Sequence, residues 1–175
     1  MSHDLGTLAV RVILGAAIAA HGAQKLFGWF GGHGINGTGG FFESIGFRPG
    51  KLFAIAAGCG EFFGGLLVLL GFLGPVGATL IVATMTVAML TVHRQKGFFA
   101  AGNGVELPLL FAVAALATAF AGPGRLSLDS ALGLGSFDSA KAAWIGLAVA
   151  VVGALANVAL RRPQAPASQS ANQAT

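Results

Sequence analysis

The residues of this chain that could do chemistry are ionisable side chains inside otherwise apolar segments. Arg11, His21 and Lys25 are separated by ten and by four residues. At about 100° per residue, this spacing places all three within an arc of about 80° on one helix face. Glu61 lies near the middle of a second apolar segment. Because an unpaired carboxylate is costly inside a membrane, Glu61 needs a cation, a proton or water beside it.

The expected depths of these residues predict which of them could meet. A helix rises about 1.5 Å per residue, which puts Arg11 and His21 within about 8 Å of Glu61 in depth, so either side chain could reach the carboxylate. Glu106 favours the N-terminus of the helix that it begins. Four polar residues are expected together at one end of the helices: Lys25, His93, Asn103 and Glu106.

Two interpretations of these residues remain open. In the structural one, Arg11 pairs with Glu61 and Lys25 with Glu106, and the two ion pairs fix the helix register. In the functional one, the same residues line a polar cavity for a ligand or a proton path.

Metal, haem and cluster chemistry have little support in the sequence. His21 and His93 come from different segments and could in principle ligate haem or a metal, but two histidines without a further signature are a weak signal. We therefore predict no metal site and disfavour haem. Cys59 is the only cysteine, so this chain alone cannot build a disulfide framework or an iron–sulfur site. Redox chemistry would need a borrowed cofactor or a partner.

The composition indicates a membrane protein. Hydrophobic residues make up 55% of the chain and charged residues 9%, against about 25% charged residues in an average soluble domain. Five apolar segments approach the ~20 residues that cross a bilayer: 5–27, 52–73, 76–92, 105–120 and 142–160. We predict an all-α membrane helical bundle over residues 1–160 and a disordered tail over 161–175. Whether segment 142–160 spans the membrane or lies along its surface stays open.

The basic residues predict an orientation. The net charge is +4, and the charges cluster at the ends of the apolar segments, which the positive-inside rule explains better than nucleic-acid binding. If all five segments span, Arg125 and Lys141 lie on one face. The other face receives Lys25, Arg48, Lys51, Arg94, Lys96, Arg161 and Arg162. We therefore predict a multi-pass protein of the cell membrane with cytoplasmic basic loops and an outside N-terminus.

Two connections have distinct sequences. Residues 28–40 contain so many glycines that we predict no helix there. This segment is either a flexible surface loop or an ordered cap over one mouth of the bundle. The run from Leu70 to Pro75 predicts a tight stop, which would make the second and third segments an antiparallel hairpin.

Two motifs give the chain a family resemblance. The stretch Arg11-Val-Ile-Leu-Gly15 is followed by His21-Gly-Ala-Gln-Lys25-Leu-Phe-Gly28, and Gly60-Glu61 then leads a run of Gly and Leu to Gly71. Over about residues 5–120 the chain resembles the DoxX family. The resemblance implies a four-helix membrane core, to which segment 142–160 would add a fifth helix. It also links the chain to DoxD, the membrane subunit of an archaeal thiosulfate:quinone oxidoreductase. The positions that match its motif are Arg11, His21, Lys25 and Glu61.

Our leading hypothesis is a membrane subunit that supports redox chemistry, either by binding quinone or by anchoring soluble redox partner proteins. A quinone site needs an apolar slot, donors for two carbonyl oxygens and a proton source, and Glu61 or Glu106 could relay protons. One alternative is a small solute or proton-coupled transporter, and another is a structural scaffold. The lipid bilayer is the predicted environment, nucleic acid is not a predicted partner, and a homo-oligomer stays open.

Overall fold

The computed structural model describes residues 1–135 and 139–162, and this part of the chain is all-helical, as predicted. Its seven α-helices are α1 (Ser2–Phe27), α2 (Gly34–Ser44), α3 (Gly50–Leu70), α4 (Val76–Ala88), α5 (Glu106–Ala121), α6 (Leu128–Leu132) and α7 (Ala140–Ala159). A π-helical turn (Met89–His93) and a 3-10 turn (Arg94–Lys96) prolong α4 without a break.

In the part of the chain that the structure describes, four helical stretches are long and apolar enough to cross a membrane: Ser2–Phe27, Gly50–Leu70, Val76–Lys96 and Ala140–Ala159. The helix α5 is apolar but has only 16 residues. At about 1.5 Å per residue it covers about 24 Å, less than a typical hydrocarbon core. The chain is thus a multi-pass membrane protein. Its C-terminal segment is a helix of spanning length that packs against α4 and α5.

The helices α1, α3, α4 and α5 pack in a ring, and α7 lies outside it. Contacts join α1 to α3, α3 to α4, α4 to α5 and α5 back to α1. The centre of the ring holds Ile18, Ile81 and Ala115, which are fully buried. Because the centre of the ring is apolar, its buried polar residues lie toward the two ends of the helices.

Glycines allow α1 and α3 to touch backbone to backbone. A Cβ atom on Gly15 would lie 2.6 Å from the carbonyl oxygen of Gly65, and one on Gly65 would lie 2.6 Å from the oxygen of Gly15. Such close approach is how small residues hold membrane helices together without a hydrophobic driving force. These contacts fix the register of the two antiparallel helices.

That register separates Arg11 from Glu61. Gly22 packs against Gly58 and Phe62 in the middle of α3, on either side of Glu61, whereas Arg11 lies against Gly71, where an added Cβ would be 2.6 Å from Arg11 Nη1. Gly71 and Glu61 are ten residues apart, which is about 15 Å along a helix. The prediction that Arg11 could reach Glu61 is therefore wrong. It assumed that the two helices are aligned at their midpoints, whereas the glycine contacts set the offset.

The prediction that the glycine-rich segment is not helical is also wrong, because its second half forms α2. Packing against α3 outweighs the low helix propensity of glycine. A Cβ on Gly39 would lie 3.1 Å from the backbone nitrogen of Lys51, and one on Gly50 would lie 2.5 Å from Glu43 Cγ. The second half of this segment is therefore an ordered helix that packs on α3, which agrees with the interpretation of an ordered cap and not with that of a flexible loop.

The C-terminal end of α7 is fastened to the connection between α2 and α3. Arg161 Nε donates a hydrogen bond to the carbonyl oxygen of Ile45 at 2.5 Å. The backbone N–H of Arg162 donates a hydrogen bond to the carbonyl oxygen of Gly46 at 2.7 Å. The predicted tail began at these two arginines. The rest of that predicted tail, residues 163–175, lies outside the described residues.

Candidate functional site

Lys25 and Glu61 form an ion pair between α1 and α3. Lys25 Nζ lies 2.5 Å from Glu61 Oε2, and the two side chains are 27% and 6% exposed. The register of α1 and α3 brings the last turn of α1 level with the part of α3 that carries Glu61. The buried carboxylate thus has the cationic partner that it needs in an apolar setting. The predicted pairs Arg11–Glu61 and Lys25–Glu106 are wrong, because Lys25 is the partner of Glu61.

This ion pair lies in the wall of a cavity of about 420 Å³. The volume falls in the range of small-molecule sites, which are mostly apolar with a few convergent polar groups. Side chains from α1, α2, α3, α4, α5 and α7 line it. Its aromatic residues are Phe41, Phe42, Phe47, Phe53 and Phe111. Its polar residues are His21, Lys25, Thr38, Glu61, Thr84, Thr91, His93, Asn103 and Asn157.

The cavity brings together five of the seven predicted site residues: His21, Lys25, Glu61, His93 and Asn103. The other two, Arg11 and Glu106, do not line it. Glu106 Oε2 instead accepts a hydrogen bond from the backbone N–H of Ala100 at 2.7 Å. Glu106 therefore orders the loop before α5.

His93 is the last residue of the π-helical turn that follows α4. Its Nδ1 lies 2.7 Å from the carbonyl oxygen of Asn103, a residue in the left-handed conformation with a φ of 61°. Since a carbonyl oxygen can only accept, Nδ1 must carry the proton, and in the neutral ring Nε2 is then the acceptor. Turns of this kind are frequent at functional sites.

His21 is held in the same way from α1. Its Nδ1 lies 3.2 Å from Gln24 Oε1, and Gln24 Nε2 donates to the carbonyl oxygen of Phe30 at 3.1 Å. With the amide oriented by Phe30, the Nδ1 of His21 is again the donor. The exposed ring packs edge to face with Phe111 at 5.9 Å. Both histidines can thus present Nε2 as an acceptor.

Neither histidine belongs to a metal-binding group within residues 1–135 and 139–162. That part of the chain has no set of three or more His, Cys, Asp or Glu side chains that could hold a metal ion. Cys59 is half-buried and is not among the residues that line the cavity.

Arg11 belongs to a separate polar cluster at the opposite end of the bundle. Its side chain is 3% exposed. Nη1 donates to the carbonyl oxygen of Pro123, and Nη2 donates to those of Leu69 at 3.3 Å and Leu126 at 2.9 Å. Arg11 thus joins α1 to the end of α3 and to the connection after α5.

Asp129 is the second member of this cluster, and the sequence analysis missed it. It is fully buried in α6 and accepts hydrogen bonds from the backbone N–H groups of Leu73 at 2.9 Å and Gly74 at 2.6 Å. These donors belong to the tight turn between α3 and α4. One local signal in the sequence could have indicated α6. Ser127 caps this helix by accepting a hydrogen bond from the N–H of Ser130, and a serine at this position is typical of a helix start.

The geometry defines a class of protein: a multi-pass helical membrane protein with a Lys–Glu pair in the wall of an apolar cavity. The sequence model of the DoxX family matches residues 6–94, which include Lys25, Glu61 and His93. This chain belongs to the DoxX family. It is similar to a Bacillus subtilis (strain 168) protein named "Putative oxidoreductase CatD", with 34% identity over 128 residues that cover 73% of this chain and 87% of that protein. No solved structure matches.

Proposed function

We propose that this DoxX-family protein is the membrane subunit of a redox system and that it binds a quinone in the cavity beside Lys25 and Glu61. The observation that carries the proposal is the position of this ion pair in the wall of an apolar cavity of about 420 Å³. The similarity to a protein named as an oxidoreductase supports the redox assignment.

The lining residues fit the chemical needs of a quinone. Five phenylalanines line the cavity and suit a flat apolar ring with its tail. The ammonium group of Lys25 has three donors, of which Glu61 uses one. The remaining donors are available to a carbonyl oxygen at the wall. A bound quinone would supply two-electron chemistry coupled to the uptake or release of two protons.

The same residues can move protons to and from that oxygen. When Lys25 turns from Glu61 to a ligand, the freed carboxylate is a proton acceptor in the cavity wall. His93 is half-buried at the end of the cavity beside the exposed Arg94, and its Nε2 can accept a proton. Glu61 and His93 thus provide acceptors at the wall and near the end of the bundle.

A second version of the proposal is that the protein anchors a soluble redox partner. Two exposed basic residues, Arg94 and Lys96, lie within three residues after His93, and the exposed Phe98 and Phe99 follow in the same loop. Such a mixed basic and aromatic surface suits an acidic protein surface. In this version the partner would supply the electrons, and a quinone bound in the cavity would accept them.

The quinone proposal is tested with the purified full-length chain in detergent. We expect a short-chain quinone analogue to bind in isothermal titration calorimetry. Glu61→Gln should weaken the affinity by about tenfold, because it removes the carboxylate that holds the Lys25 ammonium group in the cavity wall and so weakens the charged hydrogen bond, worth about 1.5–3 kcal/mol, that Lys25 donates to the quinone. Glu106→Gln is the matched control, because Glu106 lies at the same end but does not line the cavity.

Thermal unfolding separates a lost site from a lost fold. Glu61→Gln leaves Lys25 without its partner, whereas Lys25→Gln/Glu61→Gln restores a neutral pair. We expect the double variant to regain stability without regaining affinity. The quinone proposal fails if the unmodified protein binds no analogue, or if Glu61→Gln and Glu106→Gln reduce affinity equally.

A further inference from the structure

Four basic residues surround the place where α7 meets the connection between α2 and α3. Arg161 and Arg162 are hydrogen-bonded to the carbonyl oxygens of Ile45 and Gly46. Lys51, in the first turn of α3, packs against α2. We call this group the corner cluster: Arg48, Lys51, Arg161 and Arg162. Three of its members are exposed and Arg161 is half-buried.

The corner cluster has an unbalanced positive charge. The ion pairs among residues 1–135 and 139–162 are Met1–Asp4 and Lys25–Glu61, so neither involves the cluster. The acidic residue beside the cluster is Glu43, in the last turn of α2. It accepts a hydrogen bond from the backbone N–H of Gly50 at 3.1 Å. The sequence after Arg162 contains no Asp or Glu. Four cations thus share one carboxylate, which suits an anionic ligand.

An apolar opening lies beside the cluster. Phe41 of α2, Ala56 of α3 and Gly153 of α7 line the cavity and are also exposed, so the cavity reaches the outer surface of the bundle on this side. A Cβ on Gly153 would meet nothing within 4 Å. The opening faces the hydrocarbon region, because Gly153 lies within the spanning helix α7.

We propose that this corner binds an anionic phospholipid, with its phosphate on the corner cluster and one acyl chain in the opening between α3 and α7. The charge of the cluster and the apolar character of the opening match the two parts of such a lipid. Basic pockets between membrane helices bind anionic headgroups in this way. A soluble phosphate compound would satisfy only the charge.

The test measures lipid affinity of the full-length protein in detergent by native mass spectrometry and by lipid-dependent thermal shift. The ligands are phosphatidylglycerol, phosphatidylcholine with the same chains, and glycerol phosphate. We expect phosphatidylglycerol to bind tightest and glycerol phosphate to give no shift. A stabilisation by glycerol phosphate equal to that by phosphatidylglycerol would overturn the lipid assignment in favour of a free phosphate site.

Two double variants of equal charge test the position of the headgroup. Lys51→Gln/Arg162→Gln removes one Lys and one Arg from the corner cluster, and Arg94→Gln/Lys96→Gln removes the same two types from the other basic loop. We expect the first to weaken phosphatidylglycerol binding by about 10- to 30-fold, since each basic residue near an anionic surface contributes about 1 kcal/mol. Equal losses in both variants would mean diffuse attraction and would overturn the proposal.

The position of the acyl chain is tested with Gly153→Leu, which fills the opening. We expect this variant to lose the preference for long-chain over short-chain phosphatidylglycerol. Gly6→Leu is the control. A Cβ there also meets nothing within 4 Å, but Gly6 lies near the N-terminus of α1 and does not line the cavity. An unchanged chain-length preference in Gly153→Leu would place the chain elsewhere and contradict the proposal. The lipid assays contain no quinone, so their result can fail or succeed separately from the quinone proposal.

Discussion

Lys25 Nζ and Glu61 Oε2 lie 2.5 Å apart, and both side chains face the same cavity. The pair therefore has two features that mutation can separate: it joins α1 to α3, and it lines the cavity that we propose to hold a ligand. Removing one member leaves the other charge unpaired in an apolar setting, whereas removing both does not.

We expect a double-mutant cycle to show this coupling. Lys25→Gln and Glu61→Gln should each lower the free energy of unfolding by about 3 kcal/mol, and the double variant should lose clearly less than the sum. The measurement is reversible unfolding in mixed detergent. Additive losses would mean that the two groups do not interact in the folded protein.

Substitution of Arg11 should lower the stability of the protein without changing its affinity for a ligand. Arg11→Gln removes the hydrogen bonds to the carbonyl oxygens of Pro123 and Leu126, so the melting temperature should fall. The affinity for a quinone analogue should not change, because Arg11 does not line the cavity. Thermal unfolding and calorimetry on the same preparation check both statements. Lost affinity with unchanged stability would contradict this assignment.

Asp129→Asn should destabilise the protein although it changes few atoms. Both carboxylate oxygens accept backbone hydrogen bonds, and an amide offers one acceptor and turns a donor toward the remaining N–H. We expect a loss of about 1–3 kcal/mol, the cost of an unsatisfied buried group. Asp4→Asn is the matched control, because Asp4 accepts a single backbone hydrogen bond from Arg125 in a more exposed place and should cost less.

Two glycines of α1 should respond oppositely to the same substitution. Gly15→Ala places a methyl group 2.6 Å from the oxygen of Gly65 and should separate α1 from α3, with a large fall in melting temperature. Gly6→Ala adds a methyl group in open space and should stabilise by up to about 1 kcal/mol through helix propensity. Equal effects would show that the α1–α3 contact does not set the packing.

The predicted cytoplasmic location of the basic end can be tested by labelling. In a Cys59→Ser background, Lys96→Cys should react with a membrane-impermeant thiol reagent only after the cells are opened, and Ser130→Cys should react in intact cells. The positive-inside rule gives this direction. The opposite pattern of labelling would reverse the orientation while leaving the fold unchanged.

The spanning helices were predictable because length and hydropathy alone define them. The grouping of Lys25, His93 and Asn103 at one end followed from the direction of successive helices. The partner of Glu61 was not predictable, because it depends on the offset of α1 and α3, which close glycine contacts set. The sequence shows that glycines are present but does not show which ones face each other.

Two further features depend on tertiary contacts that leave no local pattern. The helix α2 contains residues of low helix propensity and exists because it packs on α3. Asp129 lies in a five-residue helix, too short for hydrophobic periodicity to indicate its burial. Its role appears only when the connection after α5 folds back on the turn between α3 and α4.

The place of α7 has a consequence for the order of events during synthesis. The four helices of the ring are complete in the nascent chain before α7 is made, so Lys25 and Glu61 can pair while the cavity is still open on the α7 side. The insertion of α7 then narrows the cavity on this side, and the hydrogen bonds of Arg161 and Arg162 join α7 to residues made more than a hundred positions earlier. We therefore expect the cavity to take its final shape only after the four helices of the ring have been made.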